Sequence, residues 1–312
     1  MIEKPFFLVG SERSGTTLVR LMLNHHPKIA WLDEFEYAVD LVGEEGVFPP
    51  LEEYYEWLET DWIFQSTGFV VDRQLDYPHL VNSFLWQKKE REGKPIVGAT
   101  VHRNFDRILY IWPSAAFIHI IRDPRDVARS CVDMGWAGSV WCGVDRWLEA
   151  EYTWNRLREK IPPDRCVEIH YEDLIENPVA VLSGICSFIG VEYDGAMLSY
   201  PKDSTYSLPD ASLVGQWRKR LSNFEIQLVE SKVGDLLVDR GYQKSGLPPI
   251  TVNSTTRKWL QVYDWWYRLQ FRIKRFGLPL VLADFLSRKL GLKQWQKRVK
   301  LAINEVQKRH LK

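Results

Sequence analysis

The chain has 312 residues, 45% of them hydrophobic, with 41 basic and 41 acidic side chains and no formal net charge. That length and apolar content can build one large α/β core, with or without an appendage, and argue against general disorder. No apolar run reaches the roughly 20 residues a membrane span needs, and the N-terminus lacks a basic segment followed by an apolar one, so a cytoplasmic protein is expected.

Pro5 to Val9 is a short apolar run ending at Gly10, the pattern of a buried strand. The polar loop Ser11 to Ser14 follows, and Thr16 to Asn24 then places Leu18, Leu21 and Met22 at helical spacing. A second strand is expected at Lys28 to Leu32, and Phe35 to Gly93 reads as helices and loops packed over one edge of a sheet. The alternation resumes with a strand at Pro95 to Thr100, a helix at Asn104 to Ile111, a strand at Ala116 to Ile121 and a helix at Asp123 to Met134. Trp141 to Lys160 reads as helix, Cys166 to His170 as strand, and Asp173 onward as helix with Pro178 near its start or at a break. Ser222-Asn223-Phe224-Glu225 is a capping box, and Gly241 stands where a glycine would end that helix. Strands alternating with helices imply a parallel sheet flanked by helices, an α/β fold of the P-loop type.

Ser245 to Pro249 reads as a linker, dividing residues 1–244 from a helical, aromatic and basic extension at 245–312. From Ile250 onward there are fifteen Lys or Arg against three Asp or Glu, leaving 26 basic and 38 acidic residues in the rest. Two readings of this segment stay open. It is a basic amphipathic element making peripheral contact with anionic lipid, or a helical pair docked on the acidic main domain or on another subunit. No nucleic-acid-binding module is recognisable. Cys131, Cys142, Cys166 and Cys186 show neither zinc-ligand spacing nor a disulfide framework, so no metal is expected.

The loop Gly10-Ser11-Glu12-Arg13-Ser14-Gly15-Thr16-Thr17 joins a strand to a helix, the context in which a glycine-rich loop binds phosphate. Backbone N–H groups of Gly15, Thr16 and Thr17 face an anion there, helped by the helix dipole, and Arg13 adds fixed charge. Thr16 stands where a nucleotide triphosphatase has lysine, which argues against ATP or GTP hydrolysis. A second anion site is expected at Phe117 to Ser130, where a buried strand delivers Arg122 at its C-terminal end and the next helix carries Ser130. Two anion sites at neighbouring strand ends suit a nucleotide phosphorylated at both ends.

These motifs resemble the sulfotransferase superfamily, which uses 3′-phosphoadenosine 5′-phosphosulfate (PAPS). Pro5 to Pro27, with R-S-G-T-T at Arg13 to Thr17, resembles its 5′-phosphosulfate loop, and Phe117 to Ser130 its 3′-phosphate element. His170 to Leu174 resembles the segment whose tyrosine, here Tyr171, lies near adenine. Leu213 to Leu221, around Trp217 and Arg218, resembles the late loop that closes over the donor. The resemblance runs from Pro5 to Tyr242 and is nearest to the bacterial and tyrosylprotein branch.

In that branch a catalytic glutamate follows the loop arginine by twenty-one residues, which lands on Glu34. The resemblance thus implies Glu34 as general base, Arg13 and the loop as stabilisers of the leaving phosphate, a hydroxyl-bearing acceptor (glycan, phenol, peptide or lipid), and no metal. Many relatives carry a lysine-threonine pair after the middle strand. Here the stretch is Gly98 to Arg103, with Ala99 in the apparent lysine position. Either His102 or Arg103 takes over that charge, or the alignment is shifted, or activity is weak. Met134 to Trp141 is an acceptor platform or simple packing. Two other functions stay open: a kinase or triphosphatase on the same fold, and a non-catalytic nucleotide-binding module.

Overall fold

A computed structural model describes residues 1–310. Five strands, β1 (Phe6–Val9), β2 (Ile29–Glu34), β3 (Ile96–Val101), β4 (Ala116–Ile121) and β5 (Cys166–His170), form one parallel sheet in the order β2-β3-β1-β4-β5. They are apolar because both faces are covered. Phe7, Val9, Leu32, Ala99 and Phe117 pack on one side with Tyr37, Phe84 and Trp112. Leu8, Trp31, Ile118 and Ile120 pack on the other with Val19, Met22 and Ile185.

Helices α1 (Thr16–Asn24), α2 (Tyr77–Glu92), α3 (Pro124–Asp133), α4 (Asp145–Arg158), α5 (Pro178–Ile189) and α6 (Asn223–Val233) flank the sheet. Side-chain caps fix several of them. Asp123 accepts from the Arg125 backbone N–H ahead of Pro124, and Ser222 and Glu225 form the expected capping box. Chain order reverses at β1, which runs between β3 and β4. A doubly wound sheet opens a crevice at the C-terminal strand ends beside such a switch point. The loops after β1 and β4 both start there.

Four expectations need correction. The helix begun at Ser222 stops at Gly234 (φ 63°), and only the short turn Leu236–Asp239 precedes Gly241 (φ 82°). Glycine at positive φ ends each piece, so the second glycine was not the first stop. Residues Phe105–Tyr110 form a 3-10 helix entered through Asn104 at φ 54° rather than an α-helix. Trp141 to Lys160 is two helices, Val140–Gly143 and α4. Finally, β2 continues two residues past Leu32, with a register shift between Leu32 and Glu34 against β3.

The C-terminal segment forms α7 (Ser254–Phe276), α8 (Leu278–Lys289) and α9 (Lys293–His310). Leu260 of α7 joins the apolar cluster of α3 and α6. Its Asp264 accepts the Gly138 N–H at 2.7 Å. A Cβ on Gly135 or Gly138 would collide with Phe271 or with Tyr267 and the α7 backbone, so these glycines are what allow α7 to lie so close. Helix α9 is held at the other end, where Lys297 pairs with Glu59, Lys300 donates to the Thr60 hydroxyl and Asn304 donates to the Thr60 carbonyl.

Candidate active site

The loop after β1 is shaped by three left-handed residues: Gly10 (φ 145°), Arg13 (φ 72°) and Gly15 (φ 96°). A Cβ on Gly10 would sit 2.4 Å from the Ile120 carbonyl oxygen, and one on Gly15 would sit 2.3 Å from the Tyr171 ring. Glycine is therefore required where the loop meets β4 and where the tyrosine closes on it. Arg13 has no such exemption; a non-glycine residue in this region costs about 1–2 kcal/mol. Such strain is found where a side chain must be aimed. The buried hydroxyls of Ser11 and Ser14 clasp each other at 2.7 Å inside the loop.

Both expected anion sites come together. Arg122, at the end of β4, donates to the Arg13 carbonyl (3.2 Å) and the Leu213 carbonyl (3.2 Å), and its guanidinium lies 4.1 Å from the Tyr171 ring centre. Arg13 donates through Nε to the Ser130 hydroxyl at 2.8 Å. The Nε of Arg122 is buried with no hydrogen-bond partner among the described residues. A buried guanidinium nitrogen without an acceptor fits an anionic ligand.

A cavity of about 450 Å³ opens here. Its walls are Arg13 and Gly15 to Leu18 of the loop, Arg122, Tyr171 and the segment from Thr205 to Leu213. Of the residues expected to contact the donor, Ser11, Ser14, Ser130, Trp217 and Arg218 are not among its walls. Trp217 is buried, its backbone N–H held by Asp126 at 2.7 Å and its ring 3.7 Å from the Arg125 guanidinium. Arg218 stacks on the same ring at 4.4 Å. The covering segment lies earlier in the chain, with Tyr206 and Asp210 on the cavity wall.

The expected base, Glu34, is at the end of β2, in a crevice that shares no lining residue with that cavity. The register shift after Leu32 turns both Asp33 and Glu34 outward at the strand end, as a bulge does. Glu34 lines a crevice of about 200 Å³ with Tyr37, Phe69, Lys88 and Arg91 among its walls. Solvent reaches the Glu34 side chain, yet the surrounding protein raises its carboxyl above the ordinary 4.5, and the nearby Glu36 charge adds to this.

Ala99 is fully buried between Phe7 and Leu32, so a lysine there would point into the core. Position 99 thus faces the core and not the cavity. Of the two candidates for the missing charge, Arg103 is committed elsewhere, to Asp40 at 2.6 and 2.9 Å. His102 turns to the loop: its Nε2 lies 2.9 Å from the Thr16 hydroxyl.

Behind His102 stands a residue the sequence reading passed over. Glu36 accepts from His102 Nδ1 at 2.6 Å and from the His102 backbone N–H at 2.9 Å, and both side chains are buried. Burial alone would lower the imidazole's pKa, but the Glu36 carboxylate outweighs it and holds His102 above the ordinary 6.5. Reciprocally, burial pushes Glu36 up, and the His102 charge and hydrogen bonds bring it below 4.5. Only the acidic cluster around Glu34 signalled Glu36, and nothing local distinguished it.

The segment Met134 to Trp141 divides. Trp136 is half-buried between two guanidiniums, 5.7 Å from Arg13 and 5.0 Å from Arg146, whose own partner is Glu12 at 2.5 Å. Trp141 is core, with Lys232 donating to its carbonyl.

The Sulfotransferase family model matches residues 5–195. A Caenorhabditis briggsae protein that carries the name of a protein-tyrosine sulfotransferase is 25% identical, over 64% of this chain and 69% of that one. The omega-hydroxy-beta-dihydromenaquinone-9 sulfotransferase of Mycobacterium bovis is 24% identical, over 61% of this chain and 63% of its own length. The chain thus spans about two thirds of the length of these relatives. Among solved structures, a sulfotransferase domain from the curacin biosynthetic pathway is similar in fold, with TM-score 0.55, 18% identity, and coverage of 79% of this chain and 99% of that domain. A family match running from β1 through α5 takes in both arginine-bearing strand ends and more than half the sequence, and the chain belongs to the sulfotransferase family.

Proposed function

We propose that this chain transfers a sulfuryl group from PAPS to an acceptor hydroxyl. The observation that carries the reading is the contact between Arg122 and the Arg13 carbonyl, which sets two guanidiniums from neighbouring strand ends on one cavity. Such a pair suits a nucleotide with phosphates at both ends. In this reading Arg13 and the N–H groups of Gly15, Thr16 and Thr17 hold the 5′ side, while Arg122 with Ser130 holds the 3′-phosphate. Tyr171 offers a ring beside Arg122 for the base.

The donor supplies an activated sulfuryl group, and sulfuryl transfer, like phosphoryl transfer, is governed by positioning and charge stabilisation. Glu34 accepts the acceptor's hydroxyl proton. Its raised pKa brings it nearer the working pH, where a general base is most effective. Arg13 and the loop amides meet the negative charge that accumulates on the phosphate side. When protonated, His102 donates through Nε2 toward the Thr16 hydroxyl and adds positive charge behind the loop, and Glu36 is its positioning residue.

The acceptor is not chosen by resemblance, since the two relatives named above carry names for a protein tyrosine and a menaquinone derivative at nearly the same identity. A thermal-shift titration with 3′-phosphoadenosine 5′-phosphate against ADP tests the donor assignment. The expectation is a marked preference for the 3′-phosphorylated nucleotide. Arg122→Met should reduce that preference about thirtyfold, the worth of a charge-assisted contact. Equal binding of both nucleotides by the wild type would reject the reading. Transfer of radiolabelled sulfate from PAPS to a panel of hydroxyl acceptors tests the reaction itself.

A further inference from the structure

Helix α7 is apolar on two sides. Leu260, Asp264, Tyr267 and Phe271 seat it on the protein, at the spacing of one helical face. Trp259, Val262, Tyr263, Trp265 and Trp266 lie on its other sides and are exposed, Trp259 and Val262 by 60% and 64%. The next helix, α8, adds Leu278, Leu282, Phe285 and Leu286, all exposed. A helix that is apolar beyond its docked face has a second apolar environment to meet.

We propose that α7 and α8 dock this protein on an anionic lipid surface. The charge distribution selects that partner. Among the described residues from Ile250 onward the acidic side chains are Asp264, Asp284 and Glu305. Asp264 is buried and paired with Arg268, and Asp284 is buried and paired with Arg272 and Arg288. Glu305 is on α9 and pairs with Lys308. The exposed surface of α7 and α8 therefore offers only cations around its rings: Arg257 and Lys258 near the α7 start, Lys274 near its end, Lys289 at the end of α8.

Indole and phenol rings with lysine and arginine at their margins match the headgroup boundary, where the rings sit among the glycerol groups and the cations meet phosphate. No described helix is long and apolar enough to cross a membrane, so the contact is peripheral. A second copy of the chain is a poorer occupant. Symmetric pairing of this face would press its cations together without intervening carboxylates. The same helix holds the glycines on either side of Trp136, which stacks near Arg13, so the lipid-facing element and the donor loop share one strut.

The test is co-sedimentation of the full chain with vesicles of phosphatidylcholine alone and of phosphatidylcholine with phosphatidylglycerol. It requires no donor or acceptor, so its outcome is independent of the sulfuryl-transfer reading. The expected result is binding to the anionic vesicles that weakens as salt rises. Arg257→Gln with Lys258→Gln should weaken it about twenty-five-fold, at about fivefold for each cation lost near the surface. Trp265→Ser with Trp266→Ser should weaken it at least about tenfold. Unchanged circular dichroism melting establishes that these exposed substitutions leave the fold intact. Failure to bind anionic vesicles, or binding indifferent to both double substitutions, would overturn the proposal. So would a wild-type dimer in sedimentation velocity that Trp265→Ser with Trp266→Ser dissociates, which would make the face a subunit interface.

Discussion

Glu36→Gln tests the part of the site that owes most to three-dimensional structure. The substitution keeps the side chain's shape and one carbonyl acceptor, and removes the charge 2.6 Å from His102 Nδ1. A charge-assisted hydrogen bond contributes roughly 1.5–3 kcal/mol against about 1 for a neutral one, so the loss of stability should be about 1–2 kcal/mol. For a chain of this length that is about 2–3 °C in Tm. The pH dependence follows from the two shifts. His102 is raised, so its contribution is complete below 6.5 and disappears as pH rises through the higher folded value. Glu36 is lowered, so its contribution is complete above 4.5 and disappears as pH falls through the lower folded value. The wild-type advantage in Tm should therefore be largest between 4.5 and 6.5 and shrink on the alkaline side. In catalysis, burial unopposed by Glu36 lowers the imidazole's pKa, and the alkaline limb of kcat moves to lower pH. At neutral pH the variant should lose about a hundredfold in kcat, the scale of one preorganised donor. Binding of 3′-phosphoadenosine 5′-phosphate should be nearly unchanged, because Glu36 does not line the donor cavity. A full pH–rate profile with the melting series decides the matter. An unmoved alkaline limb with wild-type kcat would reduce the Glu36–His102 pair to scaffolding.

Arg13→Ala should lower kcat for sulfuryl transfer at least about a thousandfold, since the loop loses its fixed charge, and normal turnover would reject the site. Glu34→Gln should slow the chemical step by about 10²–10⁴ while leaving donor affinity within a few-fold, as single-turnover kinetics would report. Because Glu34 is raised above 4.5, the wild-type acid limb should lie above that value and vanish in the variant. Off the cavity wall, His119 is fully buried at ion-pair distance from Glu151 (3.3 Å) and Glu168 (3.5 Å) and stacks on Trp154. The nearby imidazole, with the Arg158 charge, holds Glu168 down at about 2. His119→Leu leaves buried Glu151 with Arg240 alone and should cost about 3 kcal/mol, seen as a drop of roughly 5 °C in Tm with the reaction otherwise intact.

What the sequence disclosed and what it withheld divide along one physical line. Buried parallel strands are short apolar runs cut off by a glycine or an arginine, so Val9-Gly10 and Ile121-Arg122 could be read locally, and so could the helices that follow them. The same locality misplaced Trp217 and Arg218. A tryptophan beside arginines has one appearance whether it meets a nucleotide or stacks, as here, on buried Arg125. Ala99 was misjudged because alternation along β3 becomes visible only when the strand is seated between Phe7 and Leu32. Glu36 was out of reach for a stronger reason. Its role depends on a register shift after Leu32, a turn at Phe35, and an approach to His102 from sixty-six residues away. In the proposed reading, anion binding is therefore a property of single strand-to-helix turns. Proton handling, in the same reading, depends on two non-adjacent stretches meeting at a strand end. A substitution that shifts the β2–β3 register should damage catalysis while leaving the donor loop unaltered.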